Sequence, residues 1–336
     1  MLSRVANSLY WMSRYIERAE NIARIVDINL QLLLDLRNLD ETRLAKYWMP
    51  IVESTGDDEL FFKLYSKPDA RGVTDFLTFR TENPNSILTS VTFARENARM
   101  VRDQITIEIW EEINRLYLFL HSTQARRVWK SSPQEFFQEI KSSSLYFQGL
   151  TDATIPRNEG WNFMQAGKYI ERADKTTRIL DVRHASVPAK GLPASPNQSE
   201  TLEWTAVLRS CSAWDTFRQF NRAEVDPRRV AEFLILSEDF PRSVRFCMSA
   251  FDSALRRISG VPEGRYSNPG EKLSGRLLAE LQFSSVEDVF ESGLHEYLDV
   301  LQQRFNDIGE AVSTTYISHP FGNPVEEFQQ QQQQQS

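Results

Sequence analysis

Tyr15–Asp27 reads YIERAENIARIVD, and the same pattern returns at Tyr169–Asp181 as YIERADKTTRILD, 154 residues further along the chain. Within this pattern, apolar residues recur every three or four positions, a period typical of an apolar stripe on one side of a long helix. A chain that contains the same kind of helix twice is expected to have two related helical halves. Around the first copy, the apolar residues spaced by three and four are Met12, Ile16, Ala19, Ala23, Val26, Leu30 and Leu33.

Helical patterns continue through the rest of the chain, and we find no run with the alternation typical of a strand. Because long helices with short connections pack as antiparallel bundles, we predict an all-α fold. It is a helical bundle built by internal duplication from two related halves, 1–150 and 151–325, packed as one domain. After the first helix, the predicted helices are Ser86–Ser122, Gln134–Leu150, Trp161–His184, Ser199–Asn221, Pro227–Leu236, Pro241–Ile258, Glu271–Phe283 and Val286–Tyr316.

Composition limits the possible partners and the compartment. The formal net charge of -7 repels phosphate, so we expect no nucleic-acid partner. No stretch approaches the ~18 apolar residues of a membrane helix, and the charged N-terminus is unlike a signal peptide. Cys211 and Cys247 are expected to be buried free thiols. We therefore expect a cytoplasmic, soluble protein without a membrane partner.

Two stretches lie outside the predicted helices. Prolines and a glycine cluster after the second copy of the repeat, between Pro188 and Pro196, and predict a linker. The last residues, 326–336, are rich in glutamine and cannot build a core, so we expect a disordered tail.

The repeat preserves a polar stripe as well as an apolar one. In each copy three acids and one arginine follow at spacings of three, four and three, which places them on one flank of a helix. Neighbouring positions differ between the copies, as with Asn21 and Lys175, whereas the order of the charges is kept. The stripe consists of Glu17, Glu20, Arg24 and Asp27 in the first copy and Glu171, Asp174, Arg178 and Asp181 in the second.

Two interpretations of the stripes follow. Glu20 with Arg24, and Arg24 with Asp27, have the spacing of salt bridges worth about 0.2–0.5 kcal/mol each on an exposed helix. Alternatively, the two stripes face each other and form an acidic, arginine-lined cavity that binds an amine or transfers a proton. Replacing Glu17 and Glu171 by glutamine separates the two, because only a structural role predicts a large loss of stability.

Motifs of common cofactor sites are absent from the sequence. It has no GxGxxG, P-loop or GxSxG pattern. None of the four histidines follows a glutamate by three positions, as carboxylate-bridged di-iron bundles require. We therefore predict no metal site and no cofactor held by this chain itself. An oxygen-only magnesium site at Glu17, Glu20 and their copies is the alternative left open.

Several motifs in order along almost the entire chain resemble the alpha-E domain family. The family is all-helical, is named for its glutamates and has no assigned activity. Its members are typically encoded beside, or fused to, circularly permuted ATP-grasp proteins, and often lie near transglutaminase-like peptidases. The motifs are MLSRVANSLYWMSRYIERAENIAR (Met1–Arg24), ARENARMVRDQIT (Ala94–Thr106), EIWEEIN (Glu108–Asn114), FQGLTDAT (Phe147–Thr154) and YIERADKTTRILDVR (Tyr169–Arg183).

The resemblance implies a role in a system that forms amide or peptide bonds. ATP-grasp enzymes join a carboxylate to an amine through an acyl-phosphate, and ATP and Mg²⁺ would be bound by that partner ligase. Glu17 and Glu171 are the candidate catalytic residues. The second copy has Lys168 where the first has Arg14, so we expect the two halves not to have identical functions. Candidate residues for binding a peptide or amino-acid substrate are Arg14, Arg18, Glu20, Arg24, Glu96, Asn97, Arg99, Arg172, Asp174, Arg178, Arg242 and Arg245.

Three functions remain open. The chain is an accessory or substrate-binding component of an ATP-grasp-linked ligase system, or an enzyme of amide transfer or hydrolysis with Glu17 or Glu171 as general base. The third is a helical scaffold whose stripes are only salt bridges. The lack of a nucleophile motif and of a nucleotide-binding loop favours the accessory function.

Overall fold

The computed structural model describes residues 1–35, 41–183, 198–220 and 225–317, with the backbone alone described at 35, 41–46 and 198–199. All regular structure in these residues is helical, which confirms the all-α prediction. The predicted linker and the predicted tail lie outside the described residues. The helices are α1 (Ser3–Asp35), α2 (Glu41–Glu53), α3 (Asp58–Leu64), α4 (Ala70–Thr78), α5 (Ile87–Met100), α6 (Ile107–His121), α7 (Thr123–Ser131), α8 (Pro133–Thr154), α9 (Glu159–Asp181), α10 (Gln198–Ser210), α11 (Trp214–Phe220), α12 (Pro227–Leu236), α13 (Val244–Ser259), α14 (Pro269–Phe283), α15 (Val286–Glu291) and α16 (Leu294–Val312), followed by a π-helical turn at Ser313–Ile317.

The helices α1 and α9, which carry the two copies of the repeat, form the centre of the fold. Met12, Ile16 and Ala23 of α1 are buried in the core, as the apolar stripe predicts. Most of α9 is buried around its circumference, and Asn158 caps its N-terminus by accepting a hydrogen bond from the Trp161 backbone. The helices α5 and α8 pack on α1, and α13 and α16 pack on α9. Within the described residues, no helix has the length and apolarity that a membrane crossing requires.

The helices α1 and α9 run in the same direction. Arg18 of α1 contacts Glu171 of α9, and further along α1 Asn29 contacts Arg183, which lies two residues beyond the end of α9. Residue numbers thus rise together on both helices, so this central pair is parallel. The reason is that the whole of α2–α8 lies between α1 and α9, so no short connection forces the chain to reverse.

A close approach at Gly167 allows this parallel packing. A Cβ atom at Gly167 would lie 2.1 Å from the carbonyl oxygen of Tyr10, a distance that no side chain can occupy. The glycine therefore lets the backbones of α1 and α9 come together near their N-terminal ends. Ser13 occupies the matching position in the first copy and is also buried.

Three predicted long helices are interrupted. The segment Ser86–Ser122 is divided into α5 and α6 by a turn in which Val101 and Ile105 are both buried. Burying these two residues turns the chain so that α6 packs against both α5 and α8. The sequence pattern alone does not show this break, because apolar residues continue through the turn.

The other two interruptions have backbone causes. Ser212 adopts a φ of 53° between α10 and α11, and Gly293 a φ of 98° between α15 and α16. Both lie in the left-handed region, which ends a right-handed helix and favours glycine. Four described helices, α2, α3, α4 and α7, were not predicted, because their sequences are short and their apolar patterns cover few turns.

Substituting Gly167 tests the close approach of α1 and α9. We expect Gly167→Ala to lower the free energy of unfolding by about 3 kcal/mol, because the added methyl group forces the two backbones apart. Gly149→Ala is the matched control, since this exposed glycine of α8 has nothing within 4 Å of an added Cβ. The control should gain up to about 1 kcal/mol from helix propensity. Urea unfolding followed by circular dichroism measures both, and equal stabilities would contradict the packing.

Candidate functional site

Glu17 of α1 accepts hydrogen bonds from several other elements of the fold. Arg172 of α9 donates through Nε to Oε1 at 2.8 Å and through Nη2 to Oε2 at 2.9 Å. Arg242, just before α13, donates to Oε1 at 3.1 Å, and Gln148 of α8 donates to Oε2 at 3.0 Å. Asn21 donates from the next turn of α1. The carboxylate is buried and held by two guanidinium groups, one of them in the bidentate geometry of a strong ion pair.

Glu171 of α9 is bound in the same way, with the two helices interchanged. Arg18 of α1 donates through Nε to Oε1 at 2.6 Å and through Nη2 to Oε2 at 3.0 Å. Arg14 donates to Oε2 at 2.9 Å, and Lys175 lies 3.8 Å away. Across the α1–α9 contact, the glutamate of each Glu-Arg dipeptide therefore forms an ion pair with the arginine of the other dipeptide. We call these four residues, Glu17, Arg18, Glu171 and Arg172, the reciprocal pair.

Both glutamates of the reciprocal pair are held in the ionised state. Burial alone would raise the pKa of Glu17, but Arg172 and Arg242 outweigh it and lower the pKa to about 2. Burial is likewise outweighed at Glu171, where Arg18 and Arg14 hold the pKa well below its ordinary value. Neither carboxylate is therefore a proton acceptor at neutral pH, and the space between them is filled by arginine side chains.

The next acid of each stripe forms the predicted salt bridge within its own helix. Arg24 donates to Glu20 at 2.8 Å, and Arg178 donates to Asp174 at 2.9 Å, which confirms the i,i+4 pairing. Glu20 is also bound by Arg242 and by Ser144 of α8. Burial raises the pKa of Asp174, but Lys175 and Arg178 outweigh it and lower the pKa overall. These acids extend the network at each end of the reciprocal pair: Glu20 shares Arg242 with Glu17, and Lys175 lies close to both Asp174 and Glu171.

The third acid of each stripe does not bind its own arginine. Asp27 accepts from Lys141 of α8 at 2.7 Å, so the predicted pairing of Arg24 with Asp27 is wrong. Asp181 bonds His295 of α16 at 2.8 Å. At this end of each stripe the partners thus come from other helices, α8 for Asp27 and α16 for Asp181.

Four predicted binding residues do not join the network. Glu96 on α5 bonds Arg95 and Arg99 on the same helix, at 3.0 and 2.7 Å, and Asn97 donates to a carbonyl of its own helix. Arg245 reaches Glu238 at 2.7 Å. These side chains are partly or fully exposed and make their described bonds away from the α1–α9 contact, where ion pairs contribute little to stability.

The sequence analysis missed the polar contribution of α8. Lys141, Ser144 and Gln148 are spaced by three and four residues, and each donates to an acid of the first stripe. This spacing was a usable signal, but serine and glutamine are common on exposed helix faces and do not stand out. Lys168 of α9, the counterpart of Arg14 in the repeat, lies in an unusual environment for a lysine. It is 8% exposed, and burial together with Arg172 lowers its pKa to about 8.

Two clefts lie at the C-terminal ends of the stripes. The first, here the α9–α16 cleft, has a volume of about 430 Å³ and is bordered by Arg178 and Asp181. The second, the α10–α11 cleft, has a volume of about 320 Å³ and is bordered by Arg24, the counterpart of Arg178 in the repeat. Each cleft takes residues from one stripe, whereas the sequence analysis considered a single cavity lined by both.

The described residues give little support to thiol chemistry or to metal binding. Burial raises the pKa of both Cys211 and Cys247 to about 12, so neither thiol is reactive at neutral pH. The described part of the chain contains no group of three or more histidine, cysteine or acidic side chains arranged to hold a metal ion. The glutamates considered for magnesium face arginines.

Removing one carboxylate of the reciprocal pair is expected to destabilise the protein. Glu171→Gln leaves Arg14 and Arg18 partly buried without a counter-charge, so we expect a loss of about 3–5 kcal/mol in the free energy of unfolding. The control is Glu96→Gln, whose side chain is 42% exposed and whose loss should change stability by less than about 0.5 kcal/mol. Urea unfolding of both variants measures the difference, and a stable Glu171→Gln variant would contradict a structural role.

Acid should weaken the network in a defined range of pH. The pKa of Glu17 falls from its ordinary 4.5 to about 2 on folding, so its contribution is present above pH 4.5 and is lost as the pH falls toward 2. The free energy of unfolding should therefore decrease steadily from about pH 5 downward. Chemical unfolding at a series of pH values tests this, and the slope should be shallower in Glu17→Gln. A constant unfolding midpoint across that range would exclude the linkage.

Comparisons with known proteins find relatives in two mycobacteria. Uncharacterized proteins of Mycobacterium bovis and Mycobacterium tuberculosis are 24% identical to the chain over 345 residues, and the match covers 95% of this chain and 37% of theirs. The chain thus spans well under half the length of these relatives. No solved structure shows a significant match.

A family model described as a predicted alpha-helical domain with a conserved ER motif matches residues 1–317. The chain contains two Glu-Arg dipeptides, Glu17-Arg18 and Glu171-Arg172, and these four residues are the reciprocal pair. The motif by which the family is described therefore lies at the centre of the fold. This chain belongs to the Alpha-E family.

Proposed function

We propose that the chain is an accessory, substrate-binding module of an ATP-grasp-linked system that forms amide or peptide bonds. One observation supports an accessory function over catalysis: Glu17 and Glu171 are each ionised and held by two arginines. A general base must accept a proton near the working pH, and a pKa of about 2 at Glu17 is far from that range. The glutamates thus maintain the frame of the module, and ligand binding falls to the clefts beside it.

The length of the relatives supports a module that works with further regions. In the mycobacterial proteins the matching part is 37% of the whole, so a similar region there belongs to a longer chain. The resemblance to the family supplies the nature of the proposed partner, a circularly permuted ATP-grasp protein. That partner would bind ATP and Mg²⁺, and the shared compartment would be the cytoplasm, where ATP is available.

We further infer that α1 and α9 descend from an internal duplication and centre two related halves, 1–150 and 151–325. Three geometric features support this. Glu17 and Glu171 have the same role in the reciprocal pair at a separation of 154 residues. Arg24 and Arg178 each bind the acid four positions earlier. Asn29 and Arg183, again 154 residues apart, bond each other directly.

The two other functions account for less of the geometry. A scaffold explains the pairing of Glu20 with Arg24 at 2.6 Å, but it gives no role to the polar clefts at the ends of the stripes. Amide transfer or hydrolysis needs a base that Glu17 and Glu171 do not supply in their present environment. The accessory function uses both features, because a rigid frame can present a binding cleft to a partner.

Affinity purification of the tagged chain from its native host tests the proposal. We expect an ATP-grasp protein to co-purify in near-stoichiometric amount, and the complex to release ADP when amino acids are supplied. The isolated chain should release none, because it lacks a nucleotide-binding loop. Amide transfer or hydrolysis by the isolated chain would overturn the proposal, as would the absence of an ATP-grasp protein from the purified material.

A further inference from the structure

The α9–α16 cleft is built from faces of two helices. His295, Asp299 and Gln302 follow at spacings of four and three on α16, so they share one face. Arg178 and Asp181 have the matching spacing on α9. The third wall comes from the C-terminal end of α2, and the volume of about 430 Å³ is in the range of small-molecule sites. The α2 wall consists of Pro50, Glu53 and Ser54.

A buried hydrogen-bond donor without a partner lies in this wall. Gln302 is 9% exposed, and its Nε2 makes no hydrogen bond with any described residue. Buried donors are almost always paired, because an unpaired one costs about 1–3 kcal/mol. Gln302 borders the cleft, so a rotation of its terminal amide would turn this unpaired donor toward an acceptor oxygen of a bound ligand.

Arg178 provides a second donor at a fixed position. Its Nε binds Asp174 at 2.9 Å, and its Nη1 donates to the carbonyl of Ser54 at 3.2 Å. Within the described chain, Nη2 makes no hydrogen bond, so it can join Gln302 in binding a carboxylate. Because the side chain is already held at two points, it loses little conformational freedom when a ligand binds.

The rim of the cleft carries the opposite charge. Glu53 and Asp299 are exposed, and neither forms an ion pair with a described residue. Asp181 accepts a hydrogen bond from His295, and this bond raises the pKa of His295 above its ordinary 6.5, helped by the charges of Asp181, Asp299 and Glu296 against the effect of burial. Donors thus lie at Gln302 and Arg178, and carboxylates lie around them.

We propose that the α9–α16 cleft binds a zwitterionic amino acid or short peptide, with its carboxylate at Gln302 Nε2 and Arg178 and its ammonium group at Glu53 and Asp299. Opposed donors and carboxylates in one cleft suit a ligand that carries both charges. The assignment rests on the proposed function in one respect: it places the substrate of the accessory module in this cleft. The α10–α11 cleft differs, since Lys141 and Arg209 make its border more basic.

Calorimetric titration of the full chain with single L-amino acids and with glycylglycine tests the site. We expect at least one of these probes to bind with a Kd of about 1 mM or tighter. The N-acetyl and methyl-ester derivatives of that probe should each bind about tenfold more weakly, because each lacks one of the two charges. The imidazole NMR signals of His295 should shift on binding, while those of His121, at the end of α6, should not.

Two variants connect binding to the cleft. Gln302→Met removes the unpaired donor at similar volume, so it should weaken binding about tenfold without lowering the melting temperature. Asp299→Asn should weaken binding of the free probe more than that of its N-acetyl derivative. Asp215→Asn, in the α10–α11 cleft, is the matched control and should leave binding unchanged.

The outcomes separate this site from the proposed function. No binding of any probe below about 10 mM, or binding that Gln302→Met and Asp299→Asn leave unchanged, would overturn the site. An equal loss in Asp215→Asn would also overturn it. Neither result depends on an ATP-grasp partner, so the affinity purification stands as an independent test of the accessory function.

Discussion

The reciprocal ion pairs between α1 and α9 determine how the helices of the fold are arranged. Removing an ionised side chain from water costs several kcal/mol, and an ion pair offsets this only when its geometry is good and its remaining bonding positions are filled. Here Glu17 and Glu171 each receive two guanidinium groups. Shifting one helix by a residue would leave several charges unpaired, so the network fixes the register of the pair as well as holding it together.

The sequence reveals this interaction only in part. Local patterns predicted α1 and α9 and the acids along them, because period and spacing are properties of one helix. The partners of Glu17 could not be predicted, since Arg172 and Arg242 lie 155 and 225 residues away. A helical wheel shows only neighbours within a helix, so it found the pairing of Glu20 with Arg24. Of the missed helix breaks, the one at Gly293 left a local signal in its glycine.

The reciprocal pair is symmetric in position, but its surroundings are not. Glu171 takes both of its arginines from α1, whereas Glu17 takes one from α9 and the second, Arg242, from the start of α13. Lys168, the counterpart of Arg14, forms no ion pair with a described residue, and burial with Arg172 lowers its pKa to about 8. Arg242, from another part of the chain, thus supplies to Glu17 the charge that Arg14 supplies to Glu171.

The same acids hold one arginine at the border of each cleft. Arg178 is bound by Asp174 on one side and borders the α9–α16 cleft on the other. Arg24 has the equivalent position between Glu20 and the α10–α11 cleft. A free surface arginine would lose rotamer entropy on binding a ligand, up to about 2 kcal/mol. An arginine already fixed by a buried acid avoids most of that cost, so in the proposed binding function the repeated acids would orient donors without touching the ligand.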